Sequence, residues 1–171
     1  MLLILKNKYI RKGEFRVSFN ADKEGVVSIV FKYMNRDNFY LFEISGYTEK
    51  DKLFRLRKKI SGKMTEIKKI DSVDEIPNAT LLNKNEKLLG YDRDVFYQVR
   101  ILLEKNIIKV FYSNLRTKEI MLFNEKEDDI QYGHVGFGTF MTTAAFDKIV
   151  LRPIVATKSI IFLLIRNVHL S

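Results

Sequence analysis

The stretch that most constrains this fold runs from Gly133 to Leu151, GHVGFGTFMTTAAFDKIVL. A strand carrying glycines at 133, 136 and 138 leads through a short turn to a second strand containing Ala145-Phe146-Asp147. Bare backbone inside a strand lets another segment approach closely or lets the sheet bend. A nucleotide-binding loop does not fit these glycines, because the spacing is G-x-x-G-x-G and no helical pattern follows. The hairpin closes a chain that otherwise reads as one antiparallel strand after another.

Period-two alternation recurs along the chain. In Glu14–Asn20, Phe15, Val17 and Phe19 alternate with polar residues, and Leu2–Leu5 is a candidate strand before it. Gly25–Tyr33 places Val27, Ile29, Phe31 and Tyr33 on one face and Val26, Ser28, Val30 and Lys32 on the other. That strand is expected to be central and covered on both sides. Asn35–Asn38 is a turn by composition, and Phe39–Ser45 returns from it. Lys52–Ile60 sets Phe54 and Leu56 against Arg55, Arg57 and Lys59, and a turn at Ser61–Lys63 leads into Met64–Ile70. Val95–Glu104 has the cleanest alternation, with Val95, Tyr97, Val99, Ile101 and Leu103 expected inside. Ile107–Tyr112 and Lys118–Phe123 follow across short turns. Asp71–Asp94 is too long for a hairpin loop and is expected to hold a short strand or a functional loop.

The expected fold class is therefore all-β, a two-sheet antiparallel sandwich. At 171 residues one domain is the natural count. We assign it to residues 1–153, leaving 154–171 as an extra C-terminal strand or tail. Two prolines in the whole chain leave strands free to run uninterrupted. The apolar run Met1–Leu5 is too short for a signal-peptide core, and Ile160–Ile165 is far short of a membrane span.

The absence of cysteine excludes disulfides, zinc–thiolate sites and thiol nucleophiles. His134 and His169 stand in no metal-binding spacing and no nucleophile elbow is present, so a Ser-His-Asp triad is not expected. Sandwich glucanases carry paired carboxylates on one strand as E-x-D-x-E, and no such strand occurs. Glu43 stands among Phe39 and Leu41, and Glu125, Glu127, Asp128 and Asp129 read as a solvated charge run. Calcium is the candidate metal, with Asp147 in a strand near the end of the sandwich and Asp128 and Asp129 before the same hairpin as ligands. The net charge of +9 is spread along the chain rather than gathered in a tract. Arg55, Arg57 and Lys59 share one strand face, and Lys68 on the next strand is expected to extend their stripe. Such a stripe suits an acidic ligand, a sulfated glycan included, or simply protects an edge. Aromatics fall on apolar faces, so nucleic acid is not an expected partner. Asn78-Ala-Thr80 is a formal N-glycosylation sequence.

The order GVVSIVFKYMNRDNFYLFEIS, KLFRLRKKISGK, DVFYQVRILLEKNIIKVFY and YGHVGFGTFMTTAAFDKIVL resembles the concanavalin A-like lectin/glucanase superfamily, in its laminin-G-like branch. The resemblance spans about Glu14 to Leu151. It rests on the order and spacing of the segments, none of which is specific alone. It implies a jelly-roll sandwich and a module of a larger extracellular adhesion protein. The Lys- and Asn-rich composition is similar to that of such modules in protozoan parasite surface proteins. The chain departs from glucanase members in lacking their catalytic strand, and from many laminin-G modules in lacking a cysteine pair.

The expected function is a non-catalytic binding module for carbohydrate or glycoprotein, at the cell surface or outside the cell, with neighbouring domains of its own polypeptide as further partners. Two alternatives stand beside it: a glycoside hydrolase or lyase on the same fold, and a structural module that packs against sister domains.

Overall fold

A computed structural model describes residues 1–46, 52–77, 89–114 and 117–153, together with the backbone of two short strands at 163–165 and 168–170. Among the described residues thirteen strands form two antiparallel sheets, an all-β jelly-roll sandwich. The first sheet comprises β1 (Leu2–Ile10), β10 (Gly133–Phe140), β3 (Val26–Asn35), β4 (Asn38–Ser45), β5 (Leu53–Ile60) and β6 (Lys63–Ile70), side by side in that order. The second runs β12 (Leu163–Ile165), β11 (Ala144–Pro153), β2 (Gly13–Ala21), β7 (Tyr97–Glu104), β8 (Ile107–Asn114) and β9 (Ile120–Lys126), and β13 (Val168–Leu170) also pairs with β11. The strands from 163 onward lie in the segment treated above as an added strand or tail. Among the described residues no helix is long and apolar enough to cross a membrane.

Alternation decides which side chains meet between the sheets. Phe15, Val17 and Phe19 of β2 face Val27, Ile29 and Phe31 of β3 and Tyr40, Phe42 and Ile44 of β4, all essentially inaccessible to solvent. Rings bridge the two layers. Phe137 of β10 lies 4.5 Å from Phe146 of β11 and 5.8 Å from Phe15 of β2, and Phe54 of β5 lies 4.8 Å from Tyr112 of β8. Each buried ring contributes roughly 1.5–3 kcal/mol from area removed from water.

Two local expectations are corrected. The alternation of β3 does not hold to its end, because Lys32 takes a left-handed φ of 48° and the register to β4 slips between Phe31 and Asn35. This bulge turns Tyr33 to the outer face and draws Lys32 to 1% exposure. Val95 does not point inward. β7 begins at Tyr97, and Val95 and Phe96 are exposed, at 36% and 43%.

The described parts of Asp71–Asp94 form an anchored cover. Ser72 and Glu75 cap a single 3₁₀ turn, Val73–Glu75, reciprocally. Ile76 and Tyr91 are buried in the core. The Tyr112 hydroxyl donates to the Gly90 carbonyl at 2.6 Å, the Tyr91 hydroxyl donates to the Lys23 carbonyl at 2.9 Å, and Lys52 pairs with Asp92. Asn78-Ala-Thr80 lies outside the described residues.

Candidate functional site

The outer face of the first sheet is the candidate site. Register places its residues in rows across the strands. Ile4, Gly136, Val30, Leu41, Arg57 and Glu66 form one row, and Leu2, Gly138, Ser28, Glu43, Arg55 and Lys69 form the next. At about 4.8 Å between strands, neighbours in a row are in side-chain contact range. Val30, Phe39 and Leu41 are buried in a small outer cluster with Ile4, Tyr33 and Met64 packed against them.

Glu43 sits in that apolar surround at 8% exposure. Its carboxylate is held from the neighbouring strand. Arg57 Nη1 donates to both oxygens at 3.3 Å, and Arg55 Nε lies 3.0 Å from Oε2. Sequence reading left Glu43 alone; the i-to-i pairing of β4 with β5 supplies its partners. The two arginines expected to wait for an acidic ligand are thus already engaged. Lys59 donates to the Arg36 carbonyl at 2.8 Å and lies 3.5 Å from Asp37.

Lys68 does not extend the stripe. Its register partner is Leu56, an inward residue, and a bulge follows between Leu56 and Arg57. Lys69, opposite Arg55, takes the outer position, while Lys68 lies 3.8 Å from Glu125. A single extra residue at Ile67 reverses the faces beyond it.

Aromatic side chains gather at one end of this face. Tyr33 stacks on Phe39 at 5.8 Å, Tyr9 lies against His134 at 4.1 Å, and Tyr9 and Tyr132 are 6.5 Å apart. Tyr9 and Tyr132 are half exposed, at 58% and 50%. Nδ1 of His134 is buried and makes no hydrogen bond among the described residues. The rings of Tyr9, Tyr33 and His134 come from three different strands, so no sequence motif announces them.

The three carboxylates named for calcium are not brought together. Asp129 accepts from Lys58 at 2.7 Å, and Asp128 accepts from the Gln131 amide. Asp147 belongs to the second sheet, opposite Ser18 on β2. Among the described residues no three His, Cys, Asp or Glu side chains form a metal-binding group.

The acidic loop is also less solvated than its composition suggests. Glu127 accepts from Lys58 at 2.9 Å and from the Tyr40 hydroxyl at 3.4 Å, with 12% of its side chain exposed. The bonds to Asp129 and Glu127 hold the Lys58 ammonium well above the usual lysine range. Burial, with the Glu127 carboxylate behind it, pushes the Tyr40 hydroxyl up.

Lys32 lies behind the same loop, 5.4 Å from the centre of the Tyr40 ring. Burial lowers its pKa from the ordinary 10.5, and the Asp128 and Glu127 carboxylates oppose that shift in part. A base whose charged form is disfavoured in the folded state destabilises it at neutral pH. Native stability then rises as pH climbs through the lowered folded value towards 10.5, because the unfolded chain holds more protons there. Lys32→Met is expected to stabilise the protein by about 1 kcal/mol at neutral pH, since an apolar group replaces a buried charge at the cost of one cation–π contact. Urea unfolding of both proteins at neutral and alkaline pH checks this, and the advantage of the variant should shrink as pH rises.

No protein-family model matches the chain, and no curated protein matches it by sequence. Solved structures share its fold. The carbohydrate-binding module CBM66 from Bacillus subtilis superposes with a TM-score of 0.63 at 13% identity, over 84% of this chain and 76% of that one. A tetrameric galectin from the ball sponge Cinachyrella sp. gives 0.54 at 11% identity, over 87% and 96%. Xenopus laevis galectin-Ib gives 0.54 at 14% identity, over 95% and 99%. At such identities the likeness is one of fold.

Proposed function

We propose that this chain is a non-catalytic sugar-binding module whose site is the outer face of the first sheet. The observation that carries this reading is Glu43, an acid embedded on that face and held by Arg55 and Arg57, with the aromatic end about 13 Å away along the strands. A carboxylate of this kind is a poor stabiliser, since replacing a buried ion pair by apolar residues is commonly neutral or favourable. Its chemistry suits a saccharide. Carboxylate and guanidinium side by side offer an acceptor and donors to vicinal hydroxyls, which both donate and accept. The half-exposed rings of Tyr9 and Tyr132 offer an apolar, rigid surface to the C–H face of a pyranose.

The printed descriptions of the structural neighbours, a carbohydrate-binding module and galectins, support the same reading. Engagement of both Glu43 oxygens by arginines favours binding over hydrolysis, which needs two carboxyl groups placed across a bond. The motif order from Glu14 to Leu151 supports a laminin-G-like branch and a place in a longer extracellular adhesion protein. The full-length gene product tests that placement.

A glycan array at low ionic strength is the test of the site. Glu43→Gln keeps the shape and removes the charge. Affinity for the glycan that binds should fall by about 10–100-fold, the equivalent of one or two charge-assisted hydrogen bonds. Unchanged affinity in Glu43→Gln, or an array with no bound glycan, would overturn the reading.

A further inference from the structure

We infer a second ligand site, an oxyanion pocket at the end of the sandwich where the β1–β2 turn, the β7–β8 turn and the β9–β10 loop meet. It goes beyond the sugar-binding face and does not depend on it. Arg11, Lys12, Lys105, Asn106, Asp128 and Gln131 line a cavity of about 230 Å³ there.

Many cations on the sheets meet carboxylates: Arg16 with Glu14, Arg55 and Arg57 with Glu43, Lys58 with Glu127 and Asp129, Arg100 with Glu119, and Lys109 with Glu104. Arg11, Lys12 and Lys105 make no ion pair or hydrogen bond among the described residues. They nonetheless converge on one cavity from two turns that are distant in sequence. The pocket's carboxylate, Asp128, is bonded by the Gln131 amide, which also donates to the Asp128 carbonyl at 3.0 Å. Against three cations the lining sets this one carboxylate, so it has an excess of positive charge.

Three like charges brought together repel one another, and a bound anion removes that cost. The backbone contributes to the convergence. Lys105 holds a left-handed φ of 51°, a conformation that favours glycine or asparagine, yet the chain places a lysine there. The backbone N–H of Glu127 donates to the Asn106 carbonyl at 2.7 Å, fixing the loop against the turn.

The cavity is smaller than the roughly 300–1,000 Å³ of drug-sized sites. A compact headgroup fits it: a phosphate or sulfate ester, with oxygens for the arginine fork and the two ammonium groups and with the Asn106 amide beside them. The two esters share this chemistry, and separate probes distinguish them.

The test is an NMR titration of the full chain with glucose 6-phosphate, glucose 6-sulfate, inorganic phosphate, inorganic sulfate and glucose. At least one anionic probe should shift the backbone amides of Arg11, Lys12, Lys105 and Asn106, with glucose leaving them unmoved. The triple variant Arg11→Gln/Lys12→Gln/Lys105→Gln should weaken that probe by about tenfold or more. A control triple, Lys63→Gln/Lys118→Gln/Lys148→Gln, alters the net charge equally on exposed sites and should leave affinity within about twofold. Whichever ester binds more tightly identifies the headgroup. The site is overturned if no anionic probe moves these amides, if glucose moves them as much, or if the control triple weakens binding as strongly. Glu43→Gln leaves this pocket untouched, so failure here and failure of the sugar site read out separately.

Discussion

Phe137→Ala is expected to lower the free energy of unfolding by about 3–5 kcal/mol, the usual cost of removing a buried ring. The ring has no exposed surface and reaches from β10 in the first sheet to Phe146 and Phe15 in the second. Truncation removes the area buried by the ring and leaves a cavity between two sheets whose backbones are fixed by their own ladders. Those ladders limit how far the site can collapse. A domain with ordinary stability of about 5–15 kcal/mol would survive only narrowly. Urea unfolding measures the loss, and a change below about 1 kcal/mol would show that the sheets do not pack through this ring.

Gly133→Ala is expected to cost about 3 kcal/mol or more and to deplete soluble protein. A Cβ there would stand 2.6 Å from the Tyr33 amide nitrogen and 2.7 Å from the Lys32 carbonyl oxygen. These are backbone atoms of the β3 bulge and cannot swing aside as a side chain could. Relief requires β10 and β3 to part at His134 and Tyr33, which would also displace the aromatic end of the candidate site. Gly138→Ala is the control, because its nearest neighbour, the Met1 carbonyl oxygen, is 3.2 Å away. Thermal unfolding of both variants should show a large fall for the first and a small one for the second. Equal shifts would mean that the close approach at Gly133 is not the cause.

The strands themselves were legible because alternation and turn residues are local signals. β2, β4 and β8 begin and end within a few residues of the limits read from sequence. The bulges at Lys32 and Ile67 were not legible, since an alternating pattern carries no mark of where one residue will be left unpaired. Both misplacements, Tyr33 on the face of Val27, Ile29 and Phe31 and Lys68 on the stripe, follow from those two bulges. The solvated reading of Glu127 failed for a related reason. Its partners Lys58 and Tyr40 lie 69 and 87 residues away in the chain.

Arg55, Arg57 and Lys59 share a face by strand geometry alone, and the sequence placed them correctly. It could not say that Arg55 and Arg57 are tied to Glu43, because that depends on which strand pairs with which and in what register. Arg11, Lys12 and Lys105, unpaired among the described residues, stand in turns that look unremarkable in sequence, about 90 residues apart in the chain.

By itself, then, the sequence determined an all-β chain and most of its strands, but Gly133–Leu151 is not the hairpin it suggested: β10 and β11 lie in different sheets, and the turn between them crosses from one sheet to the other. The tertiary structure decided which charges are paired and which, among the described residues, are not. The physical reason is range: side-chain alternation is fixed within a strand, whereas an ion pair or a pocket exists only when pairing and register bring distant strands together.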